Sequence, residues 1–215
     1  MQDGSILSMS GPAGPEVSYL PSGIKPSNFI KIDRPGGNIS GAFVIDRHMK
    51  IPDRAKGYNL YLSSVPGAGS IKVDIFSVPP AAAVTAIERK ERTMINITGE
   101  KILANFHRPQ IDEKSYPFHV IIGGSSQSTS TLSLPRSFKG PVRFYCTGDW
   151  VTFSPDLLAN FTLFIEEKGV TEGFVGDFDF TQWEAFNQWK GDVFYWRPAS
   201  TTTTMLILRY NDEDF

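Results

Sequence analysis

Short apolar runs with a two-residue period come in pairs along this chain, and a cluster of Gly, Asn, Ser, Thr or Pro splits each pair. Successive side chains of a strand point to opposite faces, so a period of two means strand, and the splitting residues are those that turn a chain. Phe29-Ile30-Lys31-Ile32 and Ile39 to Ile45 flank Pro35-Gly36-Gly37-Asn38. Leu60-Tyr61-Leu62 and Ile71 to Phe76 flank Pro66-Gly67-Ala68-Gly69-Ser70. Ile95-Asn96-Ile97 and Ile102 to Phe106 flank Gly99-Glu100, and a Gly-Ser-Thr tract separates Val120-Ile121-Ile122 from Leu132-Ser133-Leu134. Val142 to Tyr145 with Val151-Thr152-Phe153, and Phe194-Tyr195-Trp196 with Met205 to Leu208, complete six pairs.

The turn glycines Gly37, Gly69 and Gly99 fall 32 and 30 residues apart, in the range of repeat architectures, and the next gap, to Gly148, widens to 49. One such unit cannot bury its own apolar face, but stacking units builds a continuous core. The expectation is therefore a mainly β fold of stacked strand–turn–strand repeats, β-solenoid-like. A β-sandwich of hairpins is the alternative, because a tight glycine turn serves either design. One short helix is expected near 180–190, where Phe180, Trp183, Phe186 and Trp189 recur every third residue as a docking stripe. Pro52 and Pro155 are each placed to start one further helical turn.

Residues 1–27 are rich in Gly, Pro and Ser without either period and read as a disordered tail, leaving 28–215 as a single β repeat domain. With 40% hydrophobic residues and 13% aromatics in 215 residues, the domain has apolar material for a core without metals or disulfides. A net charge of -2 supplies no global field toward nucleic acid or an anionic membrane. No run approaches the roughly 20 apolar residues that span a bilayer. Cys146 is the only cysteine, which fits a reducing compartment, and Met1 to Met9 lacks a leader pattern, so a cytoplasmic location is expected. Three acceptor triplets for N-glycosylation, at Asn38, Asn96 and Asn160, point the other way, to a secreted chain cut from a longer precursor.

No nucleophile–base pair or metal spacing stands out. His48, His107 and His119 have no marking context, and one Cys with three scattered His gives no zinc pattern. Carboxylates are the better enzymatic candidates: Asp177, Asp179, Glu184 and Asp192 crowd into a segment that also holds Phe178, Trp183 and Trp189. An acid among aromatics is how glycoside-cleaving sites are built. Gly-Asp turns and acidic helix starts produce the same pattern for structural reasons.

Four blocks carry a family resemblance: Leu134 to Pro141, Val151 to Pro155, Gly173 to Phe178, and Trp189-Lys190-Gly191-Asp192. In that order they resemble an uncharacterised domain family of mushroom-forming (basidiomycete) fungi. The turns Gly37-Asn38-Ile39-Ser40 and Ala68-Gly69-Ser70-Ile71 match its Asn-Gly-Ser-Ile-like turns, so the resemblance spans roughly residues 28–210. It implies an architecture like that of adhesin-like β-solenoids, and it implies no site.

The preferred reading is a non-enzymatic binding or scaffold module that presents β-solenoid faces, or the 156–191 segment, to a protein or glycan partner, with no cofactor and no metal. Phe178, Trp183, Glu184, Trp189 and Asp192 are its ligand-binding candidates. The competing reading is an enzyme acting on an apolar or sugar metabolite in an aromatic-walled cavity, with Asp177 or Asp179 as acid. Self-assembly through an uncovered solenoid end is a third.

Overall fold

The computed structural model describes residues 19–51, 57–79, 92–109, 116–146, 148–178, 188–199 and 204–213, with the backbone alone at 125–127 and 148. The alternating runs form strands where the pattern places them. The first unit is β1 (Ile30–Asp33) and β2 (Ile39–Ile45), and the second is β3 (Leu60–Ser63) and β4 (Ser70–Ser77). The third and fourth are single long strands, β5 (Thr93–His107) and β6 (Phe118–Leu134), each running through both positions of a unit. The fifth is β7 (Gly140–Phe144) and β8 (Val151–Phe153), followed by helix α1 (Pro155–Ala159) and the hairpin strands β9 (Phe161–Glu167) and β10 (Val170–Val175). The sixth is β11 (Val193–Pro198) and β12 (Met205–Tyr210).

These strands form one mainly β, curled twelve-stranded sheet with two limbs, which β5 and β6 share. The first limb runs β1-β3-β5-β6-β11-β7-β10-β9 and the second β2-β4-β5-β6-β12-β8. Among the described residues the two strands of a unit do not pair with each other. Each pairs in parallel with its counterpart in the neighbouring unit, and only β7, β10 and β9 are antiparallel neighbours. A sandwich of hairpins needs antiparallel pairing within each unit, so the chain takes the stacked alternative. The first four units stack in chain order, and the sixth lies between the fourth and the fifth.

Register keeps like residues over like. In the first limb Ile32, Leu62, Ile97, Ile122, Trp196 and Phe144 form one inward row, and in the second limb Gly41, Val73, Ala104, Leu132, Leu208 and Phe153 form another. Inward residues of both limbs join one core cluster, and each fully buried Leu, Ile or Phe in it is worth about 1.5–3 kcal/mol. The turns stack as well. A Cβ on Gly69 would lie 2.3 Å from the Gly37 carbonyl oxygen, so backbone contact between successive turns requires the two glycines that mark the repeat.

Residues 1–18 lie outside the described residues, whereas 19–27 are described. The Tyr19 hydroxyl donates to the Ser77 carbonyl, and Ser27 bridges Ile45. The expected helix near 180–190 falls mostly outside the described residues, as does the turn at Pro52, while the turn expected at Pro155 is α1. The Glu213 carboxylate accepts from Asp156 N–H at 3.2 Å and from Ser154 Oγ at 2.5 Å, closing the carboxy-terminal segment over the start of α1. No described helix is long and apolar enough to cross a membrane.

Candidate binding face

Strand alternation that sends Leu60, Leu62, Ile95, Ile97, Val120, Ile122, Phe194 and Trp196 into the core turns the residues between them outward. Register then aligns Lys31, Tyr61, Asn96, Ile121, Tyr195, Arg143 and Glu172 as one outer row across seven strands of the first limb. All of them are half-buried or exposed. Lys31 Nζ stands 5.5 Å from the Tyr61 ring centroid, and Tyr58 packs beside Tyr61 with ring centroids 6.1 Å apart. At the other end the exposed Arg197 guanidinium lies over two rings, 5.1 Å from Tyr145 and 5.2 Å from Tyr195. Stacking fixes the guanidinium plane while leaving its edge N–H groups for a ligand.

Further charge surrounds that sandwich. Arg143 Nε meets Glu172 Oε1 at 2.7 Å, and Arg92 Nε donates to the Gly191 carbonyl at 2.9 Å and its Nη2 to the Trp189 carbonyl. His119 packs against Tyr195 with ring centroids 5.4 Å apart. Burial first, and then the nearby Arg92 and Arg197 charges, push the His119 pKa down to about 4, so the ring is neutral at ordinary pH. Burial raises the Tyr195 pKa against the opposing pull of Arg143, Arg197 and Arg92, which keeps the phenol protonated. Three arginines against one glutamate make this end of the face locally cationic on a chain of net charge -2.

The residues singled out from sequence lie elsewhere. Asp192 is 2% exposed and spends both oxygens on the fold: Oδ2 meets Arg108 at 2.5 Å and Lys139 N–H at 2.9 Å, and Oδ1 accepts Phe118 N–H at 2.7 Å. Gly140 permits this convergence, since a Cβ there would lie 1.8 Å from the Asp192 carbonyl oxygen. Phe178 and Trp189 pack into an aromatic chain with Phe164 and Phe174, at centroid distances of 4.8–5.0 Å. Asp177 is exposed on an open groove of about 230 Å³ lined by Arg136, Lys139, Asn160, Gly176 and Tyr210, below the roughly 300–1,000 Å³ of small-molecule pockets. Asp179, Trp183 and Glu184 lie outside the described residues.

The remaining chemistry is sparse. Burial pushes the Cys146 thiol up to about 12, which leaves it unreactive. His107 Nε2 and Asp74 Oδ1 meet at 3.2 Å on the outside of the second limb, where Asn105 Nδ2 also donates to Asp74 at 2.9 Å. Among the described residues no group of three or more His, Cys, Asp or Glu could hold a metal ion.

The sequence blocks that carried the family resemblance therefore meet at one corner, where Lys139, Gly140, Gly176, Trp189 and Asp192 come together. A family model described as a domain of unknown function, DUF7330, matches residues 28–213. The chain belongs to the DUF7330 family. The match covers every strand of both limbs in this DUF7330 domain. No curated protein and no solved structure matches it significantly.

Arg197, Tyr195, Tyr145 and Arg92 went unnoticed in sequence as functional residues. Their outward alternation was visible, but no local motif joins Tyr61 to Tyr195. Only inter-strand register places them in one row.

Proposed function

We propose that this DUF7330 domain is a non-enzymatic binding module, a short solenoid whose first limb presents its outer face to a glycan or protein partner. The observation that carries this reading is the Arg197 guanidinium held between Tyr145 and Tyr195 at the end of an in-register outer row. A glycan is the better fit. The row alternates aromatic rings, an amide at Asn96 and charged groups on a broad sheet face, the mixture that recognises hydroxyls and sugar edges with few apolar contacts. The order of motif blocks further supports a fungal lineage and an adhesin-like architecture.

An array of neutral and acidic oligosaccharides, probed with the wild type and with a Tyr61→Ala/Tyr195→Ala variant, tests this directly. Retention of the wild type on at least one saccharide and loss by a variant with unchanged circular dichroism is expected. Equal retention of both proteins, or none by either, overturns it.

A further inference from the structure

We infer that the ligand of this face is an extended acidic saccharide whose carboxylates are read at two cationic ends, Arg197 with Arg143 and Arg92 at one and Lys31 at the other. This rests on the binding-module reading and adds the chemical class of the ligand.

The geometry has three parts. Arg197 is exposed, its plane is fixed by two tyrosines, and it has no carboxylate partner among the described residues, so its N–H fork is free to take a planar carboxylate in bidentate fashion. Arg143 shares a carboxylate with Glu172 and Arg92 holds the 189–191 backbone, so the two keep positive charge near the fork without closing it. Three strand spacings separate Tyr61 and Tyr195, roughly 14 Å, and bring Asn96 and Ile121 between the cationic ends. A linear polyanion lying across the strands meets both ends, whereas an isolated small anion meets one. Single-stranded nucleic acid also combines negative charge with stacking, but it is held by a basic groove that tracks the backbone. Here the cations are confined to the two ends of the row.

His119 reports occupancy. Its neutral state reflects burial and the repulsion of Arg92 and Arg197, so an anion seated on those arginines lowers the cost of protonating the ring and raises its pKa.

The test is titration calorimetry of the full chain with hexagalacturonate, a heparin-derived hexasaccharide, cellohexaose and a twelve-nucleotide oligothymidylate, together with NMR titration of the His119 ring. Hexagalacturonate is expected to bind most tightly, to weaken with added salt, and to raise the His119 pKa on saturation. Arg197→Ala should weaken it about tenfold or more, the loss of one charge-assisted contact, with Arg197→Lys in between. Cellohexaose binding as tightly as hexagalacturonate, unaffected by Arg197→Ala, would overturn the acidic ligand and leave the binding module standing. Preference for the heparin fragment or for oligothymidylate would overturn the carboxylate saccharide in favour of sulfate or nucleic acid. Binding of none of the four would remove both readings.

Discussion

The two ends of the stack solve the same problem with different chemistry. At the amino-terminal end, buried neutral amides join consecutive units. Asn59 Nδ2 donates to Asn28 Oδ1 at 2.7 Å, and Asn59 Oδ1 accepts from Met94 N–H at 2.7 Å and from Arg47 Nη1 at 3.1 Å. At the other end a carboxylate does this work, because Asp192, like Asn59 just ahead of a first-limb strand, binds Arg108, Phe118 and Lys139, which lie 84, 74 and 53 residues away in sequence. The difference follows the topology. Units one to three follow one another, so a short amide reaches from each strand start to the next. Unit six is inserted between four and five, so four chain segments converge on one point. A charged acceptor with two oxygens can satisfy three donors there, and the Arg108 charge compensates its burial.

Removing the charged junction should have the largest effect. Asp192→Ala leaves Arg108 without its carboxylate and two backbone N–H groups without acceptors, and should destabilise the domain by about 3–5 kcal/mol in urea unfolding. A loss below 1 kcal/mol would mean that the convergence of segments holds without the ion pair. Asn59→Ala should cost less, about 1–3 kcal/mol, because only neutral groups lose partners. If Asn59→Ala proved the more damaging of the two, the ranking of charged over neutral junction would be reversed.

The smallest effect concerns pH, and it also separates the regions, since the buried histidine of the outer face belongs to the arginine-rich end. The His119 pKa lies at about 4 in the folded chain against 6.5 as its model value. Above 6.5 both states are neutral and stability is insensitive to this group. As pH falls from 6.5 toward 4 the unfolded chain takes up the proton and the folded chain does not, so stability declines through that window. His119→Gln should flatten this part of the Tm–pH curve, and a slope unchanged by the substitution would show that other groups set it.

Much of the fold was legible because strand alternation and turn glycines are local signals. Each of the six pairs read from sequence occupies its place in the stack, and the spacing of Gly37 and Gly69 reflects the contact between their turns. The candidate site was less legible. The aromatic and acidic crowding after Val175 drew attention to Asp192 and Trp189, yet Asp192 is a junction and Trp189 packs edge-on against Phe174 with centroids 5.0 Å apart. Composition is blind to that distinction, because a buried structural carboxylate and a catalytic one have the same neighbours in sequence. The outer row was missed for the opposite reason: its members are ordinary outward residues, each unremarkable in its own strand.

By itself, then, the sequence determined the units, their turns and which side chains of each strand face the core, since two-residue alternation and glycine corners act within about ten residues of chain. Only the tertiary structure decided that the units stack in parallel, that the sixth enters between the fourth and fifth, and that Lys31, Tyr61, Asn96 and Tyr195 share one row. Those facts depend on hydrogen-bond register between strands far apart in the chain, and one residue of slip would turn every outward side chain of a strand inward.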